Sequence, residues 1–398
     1  MAISAFRTIT QRGTPIWRDI RFIRVVAQIG FVLLVAAAAG GLYANMQANL
    51  TRRGLTLGYG FLESTAGFDI GESFIPFQAA DTYGRALLAG MVNTLVVVAW
   101  GIVATTILGV AAGIARLSSN WLMRQIAAAY VGIIRNSPLL IQLFFWYFGI
   151  ILQLPNVQNA IEMPGPMYLS QRGLYLTWPM PTDNYPSWSP FLIAAVLSPI
   201  VVWLALRQIQ ARIDRPITPW AKLAYLAVPI GIAALGFILA PAPPLALDEP
   251  ARKGLNFEGG LQLSPEFAAL LLGLVTYTGA FIAEVVRAGI QAVPRGQIEA
   301  AHALGLRRGQ TLRLVIFPQA LRVIIPPLTS QYLNLAKNSS LAIAIGFPDL
   351  FSVAGVVGNQ TGVAIEIVGL LMASYLSMSL FTSLLLNIYN RRVQLVER

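Results

Sequence analysis

The chain has 398 residues, of which 56% are apolar and only 11% charged, with a formal charge of +11; its mean hydropathy is +0.65. A soluble domain carries about 25% charged residues, so this composition excludes a water-soluble globule, and the same hydrophobicity excludes a disordered chain. With no Cys and a single His, His302, the chain has no disulfide framework, no thiol chemistry and no His- or Cys-based metal cluster.

A hydrocarbon core about 30 Å thick needs about 20 mostly apolar residues in a helix. The first such stretch, 25–43, follows a basic lead. Its apolar run exceeds the 7–15 residues of a signal peptide and no small-residue cleavage site follows, so it reads as a retained helix. The second, 87–115, is long enough to cross with tilt. The third, 138–154, follows Arg135-Asn136-Ser137, where Ser137 is a helix cap and Pro138 suits a first helical position. Stretches 191–206 and 223–240 are shorter or interrupted by Pro199 and Pro229, and 267–283 is uninterrupted. The seventh, 323–346, carries Pro326-Pro327, Asn334, Lys337 and Asn338, and the eighth is 367–388. The sequence therefore predicts an all-α integral membrane protein of about eight transmembrane helices.

An even number of spans puts both termini on one side, and Lys and Arg orient the whole. With the N-terminus inside, twenty-one of the 28 basic residues fall on inner segments, from Arg7 through Arg135, Arg215, Lys222 and Arg313 to Arg398. Six fall outside (Arg52, Arg53, Arg85, Arg172, Arg252 and Lys253) and Lys337 lies within a span. The positive charge is thus topological, and no nucleic acid is implied. Segments 46–85 and 155–190 become external loops. The aromatics of the second, Tyr168, Tyr175, Trp178 and Trp188, are expected at the membrane interface.

Between the last two internal spans, residues 292–319 are too polar to cross and fall inside. Residues 297–304 are good helix formers, Pro294 and Gly296 mark the turn into the helix, and Gly305 is a natural stop. The small Ala300, Ala301 and Ala303 allow close approach to another surface. This loop resembles the signature of permease subunits of ATP-binding-cassette importers: Glu-Ala-Ala, three residues, Gly, nine residues, Ile-x-Leu-Pro. Here it reads Glu299-Ala300-Ala301, Gly305 and Val315-Ile316-Phe317-Pro318, with Val and Phe as apolar exchanges. Residues 135–145 resemble the Arg-Gly-Thr-Pro-Leu-x-x-Gln-Leu segment of polar amino acid permeases, with Asn136 and Ser137 in place of Gly-Thr; 284–290 and 337–341 resemble that subfamily's other hallmarks.

The resemblance covers 86–154 and 266–390 and implies a type I importer permease with a five-helix core plus one N-terminal and two inserted helices. It implies three parts: residues 1–85, with the first span and an external loop; a permease domain, 86–390, with an insertion at about 156–265; and a cytoplasmic tail, 391–398. It further implies a bacterial inner membrane location with both termini cytoplasmic. The implied partners are an ATPase subunit dimer, a second, non-identical permease, a periplasmic amino-acid-binding protein and membrane lipid. No Gly-x-x-x-x-Gly-Lys-Ser/Thr loop occurs, so ATP and Mg belong to the partner and the chain is a non-catalytic translocation subunit. The coupling residues carried over are Gly296, Glu299, Ala300, Ala301, His302, Leu304, Gly305 and Pro318.

Polar groups within spans are expensive and mark a solute path. Helical spacing puts Asn334, Lys337 and Asn338 on one stripe, with Ser339 and Ser340 beside them; Gln142 and Glu284 complete the candidates. Glu284 and Arg287 at i,i+3 also read as a structural pair, and Asn93 as glue between helices. Lys337, the basic residue deep in a span, suits a substrate carboxylate. The alternative, an ion-gradient-driven carrier of small polar solutes, would rest on Glu284 as its intramembrane acid.

Overall fold

The computed structural model describes residues 20–52, 58–212, 221 and 223–393. The charges counted at Arg7, Arg12, Arg18, Arg53, Arg215, Lys222 and Arg398 lie outside the described residues, as do the side chains of Arg21, Arg391 and Arg392.

Helix α1 (Ile20–Arg52) carries a long apolar stretch, none of which is buried against protein. Residues 58–82 form an ordered cap tied down by polar contacts. Arg85 donates to the Pro76 carbonyl at 2.7 Å. Asn93, fully buried in a helix of otherwise apolar character, donates to the carbonyls of Glu72 (2.8 Å) and Pro348 (2.9 Å) and accepts from the Phe74 amide. The residue expected as glue between helices therefore joins three chain segments.

Helix α2 (Tyr83–Ala115) begins at Thr82, whose hydroxyl accepts from the Arg85 amide. Helices α3 (Trp121–Arg135) and α4 (Leu139–Gln153) meet at an angle of 110°. Pro138, lacking an N–H and extended at φ −61°, ψ 138°, prevents one continuous helix. Ser137 caps backwards rather than forwards: its hydroxyl donates to the Ile133 and Ile134 carbonyls at the end of α3. The third span is thus the second half of a bent pair whose first half, α3, was not among the eight expected stretches. Ser137 offered its oxygen in either direction, and the terminal carbonyls of α3 had the greater need.

Residues 161–181 and 245–263 form β-structure instead of a loop. Strands β1 (Ile161–Met163), β2 (Met167–Ser170), β3 (Gly173–Leu176) and β8 (Leu261–Leu263) make an antiparallel sheet in the order β1-β2-β3-β8, with Tyr168 opposite Tyr175 and Leu174 opposite Leu263. Two ribbons flank it, β4 (Trp178–Pro181) with β5 (Leu245–Asp248) and β6 (Ala251–Lys253) with β7 (Asn256–Glu258). Tyr175, 1% exposed, and Tyr168 pack on Phe257 with ring centroids 4.5 and 4.7 Å away. These aromatics fill a small sheet core, which corrects the membrane-interface expectation for them. Trp188 likewise turns inward, its indole donating to the Ala233 carbonyl at 2.8 Å.

That bond pins α5 (Tyr185–Arg212) to α6 (Ala224–Leu239) as an antiparallel hairpin. At 16 residues α6 is about 24 Å long, short of a full crossing. Among the described residues, six helices are by length and composition long and apolar enough to span, or seven with the bent pair.

The core forms around α7 (Pro265–Gln291). Thr105 of α2 donates to the Val275 carbonyl, Gly109 lies against Gly279 and Ile282, and Gly113 against Ala283 and Val286. The constant offset shows two parallel helices packed through small residues, which let the backbones approach without side-chain bulk. A Cβ on Gly109 would sit 2.5 Å from Ile282. After α7 come α8 (Arg295–Ala303), then short turns over 308–316, α9 (Phe317–Asn338), α10 (Leu350–Thr361) and α11 (Ala364–Val393). The molecule therefore has a sheet end, where α2 and α7 begin, and an α8 end, where α7 finishes.

Candidate coupling and translocation site

Helix α8 is a crosspiece between α7 and α9, bounded by its own sequence. Pro294, extended at φ −59° and ψ 136°, is the N-cap, and Gly296 sits in the first turn. Gly305 has φ +74°, a left-handed conformation that favours glycine. The Leu306 amide then reaches back to the Ala301 carbonyl at 3.1 Å and the Gly305 amide to the His302 carbonyl at 2.9 Å, satisfying the helix end. Ala301, 3% exposed, faces the bundle; Glu299, Ala300 and His302 are exposed. Leu304 projects at 82% exposure. Glu299 forms no ion pair among the described residues. Pro318, which lacks an amide hydrogen, stands just past the wider π-type turn over 312–316 that leads into α9, beside exposed Phe317. Helix α8 thus turns Ala301 to the bundle and leaves Leu304, Glu299 and His302 on its outer side.

Behind α8, Glu284 of α7 is the hub of a basic cluster. It accepts from Arg116, at the end of α2, and from Arg287 on its own helix. Arg135 of α3 stands 4.0 Å away, with its guanidinium 5.1 Å above the Phe281 ring. Arg287 extends the chain to Gln291 at 2.6 Å. One carboxylate thus ties together the ends of three helices. The sequence reading found only Arg287, because Arg116 and Arg135 read as ordinary inner-face charges and their convergence depends on tertiary packing.

The other polar candidates separate. Lys337 and Asn334 are exposed on α9 and Asn338 is half-buried. Lys337 and Ser340 line a cavity of about 400 Å³ with Phe351, Met372 and Tyr375, between α9, α10 and α11. Ser339 is fully buried, donates to the Ala336 carbonyl at 2.8 Å, and is not among the residues lining that cavity. Gln142 is buried far along the chain in the α3–α4 break, where its amide donates to the Ile134 and Ser137 carbonyls and the Ser137 hydroxyl. The structure therefore gathers Lys337 and Ser340, leaves Asn334 and Asn338 on the same helix, and sets Gln142 and Glu284 apart.

One buried acid escaped the sequence reading. Asp349 is fully buried, capping α10 through the Ser352 amide at 2.8 Å. Its carboxylate lies beside the hydroxyl of Tyr375 from α11, which also neighbours Ser339. An Asp after Phe347-Pro348 and before an apolar run was a readable cap signal.

Residues 101–395 match the family described as binding-protein-dependent transport system inner membrane component. The chain is 48% identical over 372 residues to YhdX of Escherichia coli (strain K12), named as an amino-acid ABC transporter permease protein, covering 93% of this chain and 94% of that protein. It is 44% identical over 387 residues to the general L-amino acid transport system permease protein AapQ of Rhizobium johnstonii, covering 96% and 94%. It is 39% identical over 424 aligned positions to the glutamate/glutamine/aspartate/asparagine transport system permease protein BztB of Rhodobacter capsulatus, covering 96% of each chain.

Proposed function

The chain belongs to the family of binding-protein-dependent transport system inner membrane components, and on that premise we propose that it is a multi-pass permease of the type I importer fold that moves amino acids into the cytoplasm as one subunit of an ATP-driven importer. The amino acid assignment is supported by the names of relatives aligned over more than nine-tenths of the chain. In this reading the permease unit is 86–390, with α5, α6 and the sheet inserted at about 156–265. The membrane is the bacterial inner membrane, and both termini and α8 lie on the cytoplasmic side.

The observation that carries the proposal is α8, a short helix stopped by Gly305, seated through Ala301 and presenting Leu304 outward. An ATPase subunit dimer grips this crosspiece, and ATP with its Mg stays on that partner. ATP binding favours one packing of a permease pair, this chain and a non-identical sister, and hydrolysis releases it, biasing a two-state equilibrium. A periplasmic binding protein delivers substrate at the sheet end, and lipid surrounds the exposed faces of α1 and α5. Lys337 meets the substrate carboxylate from its cavity.

The alternative of an ion-driven carrier rests on Glu284, an acid committed to Arg116 and Arg287 at the bundle's edge and so poorly placed to carry a proton. The test is uptake by the purified complex in vesicles carrying Glu299→Arg with Gly305→Pro. ATP-driven amino acid uptake should fall to background while the complex still folds. Full uptake would overturn the coupling role, and uptake that ignores vanadate but follows an ion gradient would favour the carrier.

A further inference from the structure

At the sheet end, away from α8 and from Lys337, lies a cleft of about 530 Å³, within the range of about 300–1,000 Å³ typical of small-molecule sites. Four separate stretches build it: the cap at 68–72, the β2–β3 turn with Arg172, Gln262 of β8, and the start of α7 with Ser264 and Glu266. The turn between α9 and α10 closes it. Both signs of charge face this space. Arg172 and Asp69 are exposed, and neither forms an ion pair among the described residues. Glu72 is half-buried and accepts from the Ser264 hydroxyl. Glu266 accepts from the Tyr147 hydroxyl at 2.6 Å, so each acid keeps acceptor capacity for a further donor.

An anion alone would be repelled by three carboxylates, and a simple cation by Arg172. A ligand that carries an ammonium and a carboxylate on one carbon presents both charges at once. We propose that this cleft binds the zwitterionic head of a free α-amino acid, with the Arg172 guanidinium on its carboxylate and Asp69, aided by Glu72 and Glu266, on its ammonium. Arg suits the first role because its planar fork matches a carboxylate. The head group is common to all α-amino acids, so such a site holds them regardless of side chain and passes them from the inserted sheet to the mouth of the bundle. The inference deepens the amino acid reading above and rests on it.

The test is a titration of the assembled complex in nanodiscs, without binding protein, followed by saturation-transfer NMR. The probes are L-glutamine, N-acetyl-L-glutamine, which lacks the ammonium, and L-glutaminamide, which lacks the carboxylate. L-Glutamine should bind about tenfold more tightly than either analogue, the scale of one lost charged hydrogen bond. Arg172→Met should weaken L-glutamine about tenfold and bring it level with the amide, and Asp69→Asn should do the same relative to the acetylated probe. Lys253→Met, on the neighbouring ribbon, should change nothing. Absence of L-glutamine binding, or affinities within twofold of the unaltered protein in both variants, would overturn the cleft. Such a failure beside intact ATP-driven uptake removes the cleft alone; failure of uptake itself removes the amino acid reading.

Discussion

Helices α7 and α5 have nearly the same length, 27 and 28 residues, and both are apolar enough to span. Yet 61% of the apolar stretch of α7 is buried against protein and only 11% of that of α5. The difference lies in side-chain size. Along α7, Gly273, Gly279, Ala280, Ala283 and Gly289 let α2, α4 and α9 come close, with Leu143 and Ile324 filling the hollows. Along α5, Ile193, Val196, Leu197, Ile200 and Val201 point outward. Hydropathy marks both as membrane helices; the placement of small residues decides which one packs on protein and which one meets lipid.

The comparison can be broken most forcefully in the insertion. Phe257→Ala removes the ring between Tyr168 and Tyr175, and a lost core Phe costs about 3–5 kcal/mol. Because those strands touch little of the bundle, limited proteolysis should cut within 156–263 while the yield of membrane-inserted protein is kept. Loss of the whole protein would show that the two regions fold as one.

Next in size is a pair of leucines. Gly109→Leu forces a side chain onto Ile282 and Gly279 and should cost about 1–3 kcal/mol, read as a lowered thermal midpoint in detergent. Gly231→Leu on α6, where an added Cβ has nothing within 4 Å, should leave the midpoint unchanged. Equal shifts would contradict the small-residue account.

Glu284→Gln leaves Arg116 and Arg287 without their anion in a partly buried cluster. A loss of about 1–2 kcal/mol is expected, below that of a fully buried pair because water reaches the site. Smallest is a pH effect at the sheet end. Burial pushes the Glu72 carboxyl above its usual range, with Ser264 opposing and Glu266 adding to it. A carboxyl raised in the folded state contributes stability below its unfolded value and loses it as pH rises through the folded one. Glu72→Gln should therefore match the unaltered protein near about pH 4 and become relatively more stable towards about pH 7. A difference independent of pH would sink the burial argument.

How much was readable in advance follows the range of the interactions. Helix α8 and its stop at Gly305 were legible, because capping and a left-handed glycine are decided within a few residues. The positions of α1, α2, α5, α7, α9 and α11 were legible from apolar runs. The 110° break was half legible: Pro138 announced an interruption, but the backward turn of Ser137 and the latch of Gln142 needed the geometry of both helix ends. The sheet was hidden because its strands are three or four residues long and β3 pairs with β8, whose Leu263 lies far along the chain from Leu174. Arg116, Arg135 and Glu284 were each visible in the sequence, and only packing made them a cluster. Of the polar candidates, Lys337 and Ser340 share a cavity, whereas Gln142 and Ser339 satisfy the backbone around them.

The most direct test uses the absence of cysteine from the chain. Leu304→Cys gives a single thiol at the tip of α8, to be crosslinked with a short bifunctional maleimide in membranes holding the whole complex. The account predicts one adduct, with the ATP-hydrolysing subunit, whose yield changes when ATP is added. An adduct with a protein of the opposite face, or none with the ATPase in a complex that still transports, would contradict it.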